Sequence, residues 1–290
     1  MDLSLVLIQA LNAVQYGLLL FLVASGLTLI FGVMGVINLA HGSFYMMGAY
    51  LAFSLAPLTG NLLTTVVIGL VLSAAIGALL EWALFTHLYR RNHLQQVLLT
   101  YGLILIFEDL RSHFIGSDVH SVQVPDWLDF SVPLGSVMTY PAYRLFMSVV
   151  CLLVAAGLYL LIRRTRLGAQ IRAGASNRDM VQILGINIDW VYRLVFALGV
   201  SLAAFAGMIN APVTAVAPGM GMQMLIVSFV VVIVGGIGSV WGALVASQLI
   251  AFADTFGKVF VPDYAGMAIY VVMAIAAGIG AQVRLQVGGK

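Results

Sequence analysis

Asn38, His41 and Ser43 flank Gly42 inside an otherwise apolar stretch, where side chains able to hydrogen-bond meet little water. Polar groups at such depth face the bundle interior or a solute path, so these residues either line a route or fix helix geometry through hydrogen bonds. Four carboxylates also lie in or beside apolar runs: Glu81, Glu108, Asp109 and Asp254. An ion-coupled carrier, working alone, would use such a group at mid-membrane to bind its driving ion. Glu108 and Arg111 are three apart and Asp254 and Lys258 four apart, spacings that let each pair close on one helix. Glu81 has no basic residue within one turn and precedes Arg90 by about 13 Å of helical rise. It is the best candidate for a functional intramembrane carboxylate.

Other chemistries lack their residues. A P-loop needs a lysine followed by Ser or Thr at the end of a glycine-rich run, but Lys258 is followed by Val259 and Lys290 ends the sequence. HExxH, GxSxG and CxxC do not occur, and the five histidines are scattered, so neither an enzyme nor a metal-ligand pattern is visible. Cys151 is the single cysteine, set in an apolar run, and reads as a small core residue.

Composition says what must position the few polar residues. Of 290 residues, 62% are hydrophobic and 8% charged, with a mean hydropathy of +1.07. Soluble domains carry roughly 25% charged residues, so this chain could not cover a water-facing surface. The net charge of +2 comes from short basic clusters between apolar runs, a membrane-topology pattern and not a nucleic-acid face. Apolar runs fall at 9–34, 40–57, 61–88, 95–115, 141–162, 190–212, 222–237, 239–257 and 263–283. With about 20 residues needed per crossing, these predict an all-α, polytopic transmembrane bundle of about eight to ten helices, with glycine-broken or re-entrant segments, in a single domain over 1–290. No basic stretch or cleavage site precedes the first run, which is read as a retained helix.

Arg90 and Arg91, then Arg163, Arg164, Arg166, Arg172 and Arg178, then Arg284 and Lys290 mark one face as cytoplasmic by the positive-inside rule. The opposite face carries Asp118, Asp126 and Asp129 in an outer loop over 116–140, expected to lie along the surface as a short helix or extended cap. Trp127, Tyr140 and Tyr143 suit an interfacial belt there.

Two glycine-broken segments sit in opposite halves. Gly26, Gly32, Gly35, Gly42 and Gly48 punctuate residues 25–50, and Gly235-Gly236-Ile237-Gly238-Ser239-Val240-Trp241-Gly242-Ala243 interrupts a later run. Such breaks allow close helix contact or freed backbone beside a path, and together they suggest an internal repeat with a midplane route between them. The candidate path residues are therefore Asn38, His41, Gly42, Ser43, Gly236, Gly238 and Ser239. The cytoplasmic 163–189 segment carries a second signal. Asn177 is placed to cap two helical turns over Arg178–Leu184 that end at Gly185, a compact unit suited to docking into a groove on another protein. A plain basic loop on the lipid surface is the simpler alternative.

Three stretches carry a resemblance: Gly-Val-Ile-Asn-Leu-Ala-His-Gly at 35–42, Arg172-Ala173…Gly185-Ile186, and Gly-Gly-x-Gly-Ser-x-x-Gly-Ala from Gly235. Together they resemble the branched-chain amino acid ABC transporter permease family, over nearly the whole chain. The resemblance implies the pore subunit of an ATP-driven importer in the bacterial inner membrane, moving branched-chain or related amino acids inward by alternating access. It implies a second, similar or identical permease, two cytoplasmic ATPases and a periplasmic solute-binding protein as partners. No cofactor would be bound by this chain, with ATP held on the partner subunits. Arg172, Asn177, Arg178, Asp179, Gly185 and Ile186 would form the ATPase-coupling loop. Val181 stands where the family often has alanine, and the C-terminus lacks an Arg-Pro-x-Gly-Leu-like stretch, which leaves other amino acids, amides and small carboxylates open as cargo.

Overall fold

Five helices among the described residues begin where a short polar side chain takes a free amide of the first turn. Asn61 accepts from Leu63 N–H, Asn92 from Gln95, Thr165 from Gly168, Asn177 from Met180 and Asn187 from Trp190, all at 2.9–3.1 Å. Each such cap contributes about 1 kcal/mol to its helix. The computed structural model describes residues 3–89, 91–134 and 138–260, with the single positions 262 and 271. Within them run α1 (Leu3–Met34), α2 (His41–Thr59), α3 (Leu62–Ala83), α4 (His93–Phe114), α5 (Ala142–Arg164), α6 (Arg166–Ser176), α7 (Arg178–Ile183), α8 (Ile188–Asn210), α9 (Met220–Gly235) and α10 (Val240–Phe260). The bundle is all-α, and eight of these helices match the first eight apolar runs. The ninth run, 263–283, lies outside the described residues, as do Arg90, Arg284 and Lys290. Among the described residues, five helices, α1, α3, α5, α8 and α10, are long and apolar enough to cross a membrane.

α1 and α8 form the centre. α1 packs on α10, α8, α5 and α9, and α8 on α2 and α3. α3 and α5 keep one face open, with Val67, Val71 and Leu79 on one and Leu152, Leu153 and Leu160 on the other exposed to what would be lipid. Lipid tails give apolar faces no drive to associate, so the central contacts depend on close packing of small residues. They are close indeed. A Cβ built on Gly26 would lie 2.6 Å from the Gly199 carbonyl oxygen, and one on Gly48 2.0 Å from that of Ala204.

The first glycine-broken segment is deeper than a surface turn. Residues 35–40 are not helical, Gly35 has φ +66°, and the His41 ring Nε2 lies 2.9 Å from the Val23 carbonyl. Val23 is eleven residues before the end of α1, about 16 Å of helical rise. The chain therefore doubles back beside the last turns of α1, and α2 starts inside the bundle. The second break, between α9 and α10, has Gly236 at φ +86° and Gly238 at φ +79°. Gly238 packs directly on Gly32 of α1, with no room for a side chain at Gly32.

The outer loop contains a 3-10 turn at Asp126–Leu128 and an antiparallel hairpin, β1 (Ser131–Leu134) with β2 (Met138–Pro141), Val132 facing Tyr140. A short helix or an extended cap was expected; the loop contains a short helical turn and extended backbone, and its strand pairing was not expected. A bridge between His120 and Val216 ties this loop to the α8–α9 connection at the same end of the bundle.

Candidate translocation path and docking surface

At that end, opposite the basic clusters, a cavity of about 870 Å³ opens between α1, α2, α5, α8, α9 and α10. From α1 it receives Gln9, Asn12, Gln15 and Tyr16, and from α9 an apolar wall of Met220, Met224 and Val227. Asn210, at the end of α8, donates to the Tyr45 hydroxyl at 2.7 Å and to Thr214 Oγ1 at 3.0 Å, closing the floor. Asp254 and Lys258 meet as an ion pair on α10, as their spacing predicts. Glu108 and Arg111 likewise pair at 3.0 Å on α4. Arg144 donates to Asn12 Oδ1 at 2.8 Å, and the same oxygen accepts from the Tyr140 hydroxyl at 2.9 Å. Burial holds that hydroxyl above the ordinary tyrosine range, against the pull of Arg144, so it stays a donor. None of these lining residues is among the seven candidate path residues of the sequence; Asp254 was singled out there as a carboxylate in or beside an apolar run, with Lys258 as its pair. The available signal was amides and hydroxyls inside apolar runs, namely Asn12, Gln15, Tyr45 and Asn210.

The sequence candidates fall into two groups at different levels. Asn38, His41, Gly42 and Ser43 are buried one turn below Tyr45, so they lie directly beneath the cavity floor. Asn38 Oδ1 accepts from Ala40 N–H, while Asn38 Nδ2 and His41 Nδ1 have no hydrogen-bond partner among the described residues. A Cβ on Gly42 would meet the Gly221 carbonyl at 2.1 Å, so α9 closes tightly over this point. Gly236, Gly238 and Ser239 are exposed and pack near Gly32, nine residues or about 13 Å of helix further on than Val23, the level of His41. The structure does not bring the two groups together into one cluster.

At the basic end, α7 has the predicted form. Asn177 caps it, Leu184 ends it and Gly185 has φ +79°. The preceding segment is also helical, as α6, which the sequence reading took for loop. Thr165 caps α6, and Arg172 donates to the Ile162 carbonyl at the end of α5. Val181 is buried and Ile186 half-buried, anchoring the unit, whereas Asp179 is exposed. Arg178 is less free than its sequence setting suggests. Its guanidinium lies 5.4 Å from the Tyr89 ring centre, 5.2 Å from that of Tyr192 and 3.6 Å from Asp189. Large apolar side chains also stand exposed on α7 and its C-cap: Met180, Ile183 and Leu184 are 53%, 79% and 71% exposed.

Glu81 corrects the sequence reading. It is fully buried, but not unpaired: Arg193, 112 residues later on α8, contacts its carboxylate at 3.1 Å. Thr86 and the Tyr89 hydroxyl donate to the other oxygen. Burial and the carboxylate both raise the Tyr89 hydroxyl pKa, keeping it a donor. The free carboxylate that an ion-coupled carrier would use is thus engaged in joining α3 to α8.

The family model for the branched-chain amino acid transport system permease component matches residues 9–277. The chain is 30% identical over 265 residues to the high-affinity branched-chain amino acid transport system permease protein BraD of Pseudomonas aeruginosa, covering 86% of this chain and 85% of that one. It is 28% identical to the corresponding permease protein LivH of Escherichia coli K12, with 87% and 86% covered. It is 27% identical to the ribose import permease protein RbsC of the same organism, with 80% and 72% covered. No solved structure matches. With its apolar helices and its match to transport permeases over most of its length, the chain is a multi-pass protein of the cell inner membrane and belongs to the family of branched-chain amino acid transport permease components.

Proposed function

We propose that this chain is the pore-forming subunit of an ATP-driven importer, carrying branched-chain or related amino acids into the cytoplasm. It would work with a second permease, two cytoplasmic ATPases and a solute-binding protein on the outer face. The observation that carries this reading is α7: a capped helix at the basic end whose Ile183 and Leu184 point out of the bundle with nothing packed on them. Fully burying such a side chain is worth about 1.5–3 kcal/mol, so a protein with a matching groove has ample reason to dock there. The sequence holds no P-loop, so transport driven by ATP would draw its energy from such a partner. Movement of α7 then reaches the membrane through Arg178, held between Tyr89 and Tyr192, and through Tyr89 to Glu81. Opening would separate α9 from Gly42 and join the outer cavity to the buried Asn38 and His41 below it.

Reconstitution with candidate ATPases and binding protein tests the proposal. ATP hydrolysis stimulated by loaded binding protein, together with solute uptake, is the expected result. Ile183→Asp with Leu184→Asp, or Gly185→Pro, which forbids the positive φ, should each lower coupled hydrolysis and uptake at least tenfold with membrane insertion intact. Arg178→Glu, which places a carboxylate beside Asp189, should do the same. Uptake by the purified chain alone, with no ATPase present, would overturn the assignment.

A further inference from the structure

Among the described residues, the outer cavity holds an unbalanced charge. Of its ionised side chains, Asp254 and Lys258 neutralise one another, while Arg144 is half-buried and meets only neutral groups, the Asn12 amide and the Tyr140 hydroxyl. No carboxylate lies within ion-pairing distance of Arg144 among the described residues. A guanidinium turned toward a sheltered space, with no counter-ion among the described residues, is poised for a planar anion, and its fork matches a carboxylate best. The Tyr140 and Asn12 contacts hold it in place, so little ordering remains to be done when the anion arrives. Beside it Met220, Met224 and Val227 form an apolar wall, and methionine is unbranched and adapts to differing aliphatic shapes. Gln223 and Asp254 supply carbonyl and carboxylate oxygens to the same cavity, acceptors that an ammonium group needs. At about 870 Å³ the space falls in the range of small-molecule sites and exceeds one amino acid, so it would hold a solute with its water.

We propose that this vestibule is an α-amino acid subsite of the permease itself, in which Arg144 receives the carboxylate and the α9 wall takes an aliphatic side chain. It rests on the transport reading above. It adds that cargo released by the binding protein is held on the permease, one turn above His41, before the path opens. Asn38, His41 and Ser43 are the next polar groups below, the Asn38 amide and one His41 ring nitrogen having no partner among the described residues.

The test is direct ligand observation by saturation-transfer NMR on the permease with its ATPases and no binding protein, using L-leucine, 4-methylpentanoate and 3-methylbutylamine as probes. Leucine and 4-methylpentanoate should bind at millimolar strength and compete, while the amine, which lacks the carboxylate, should not. Arg144→Gln should weaken both at least tenfold. Arg144→Lys should recover part of the loss, and Tyr140→Phe, which removes a supporting contact but no charge, should change binding less than threefold. Equal leucine binding by wild type and Arg144→Gln, or none by a wild-type complex active in ATP-driven uptake, would overturn the subsite and leave the transport reading standing. Carboxylate-dependent binding that Arg144→Gln abolishes would support the subsite even in a preparation that fails to import.

Discussion

Gly207→Val is expected to leave almost no folded protein. α8 meets α2 main chain to main chain: a Cβ at Gly207 would stand 2.0 Å from the Tyr45 carbonyl oxygen and 3.0 Å from the Ala49 nitrogen. From the other side, Gly48 sits as close to the Ala204 carbonyl. Neither obstacle is a side chain that could swing away, so the two helices would have to separate over two turns. Overpacking that flexible cores absorb costs about 1–3 kcal/mol. Here relief would require breaking the central contact of the bundle, and the cost should exceed that range, a large part of a total stability of about 5–15 kcal/mol. Gly102 on α4 and Gly157 on α5 have nothing within 4 Å of an added Cβ. Gly102→Ala and Gly157→Ala should therefore unfold no earlier than wild type, since glycine costs a helix about 0.5–1 kcal/mol relative to alanine. Thermal unfolding in detergent, followed by size-exclusion profile, reads all three. A Gly207→Val protein as monodisperse and heat-resistant as wild type would contradict the α2–α8 packing.

The same glycines show what local sequence reveals. Gly199, Ala203 and Gly207 repeat at helical spacing, and that pattern alone announces a close helix contact, though not with which helix. The eight helices that match apolar runs were legible for a similar reason: length and apolarity are properties of a contiguous segment. Asn177 and Gly185 were legible because a cap and a left-handed stop are written within a few residues. α6 was missed because its arginines and glycines suggest loop, while its buried stripe of Gly168, Ile171 and Gly174 shows only once α8 and the end of α5 lie beneath it. The inward start of α2 was only half visible. Glycines marked a break near Asn38, but its depth is set by His41 reaching Val23 across the fold. The vestibule was invisible as a site because its polar residues come from six helices, each contributing one to four that look incidental within an apolar run.

Glu81 is where the local view misled, and the difference has a measurable consequence. Read along the helix, its nearest basic residues are Arg90 and Arg91; in space, Arg193 closes on it and Tyr89 and Thr86 complete the set. Glu81→Ala should accordingly cost about 3–5 kcal/mol, because it strands the Arg193 guanidinium in a partly buried site and takes the acceptor from Tyr89. Glu81→Met combined with Arg193→Met should cost much less than either change alone, since replacing both members of a buried pair by apolar groups is often close to neutral. Glu81→Gln gives the sharper test of function. It keeps acceptors for Tyr89 and Thr86 while losing the charge, and so should weaken stability modestly and leave ATP-driven uptake in the reconstituted complex within a few-fold of wild type. A carrier that bound its driving ion at Glu81 would behave in the opposite way, with Glu81→Gln folded but inactive and wild-type uptake collapsing when an uncoupler dissipates the ion gradient. Because the pair joins α3 to α8 at the end where Arg178 rests on Tyr89, its effect on transport should appear as poorer coupling to ATP hydrolysis. Sensitivity of uptake to the uncoupler should not change.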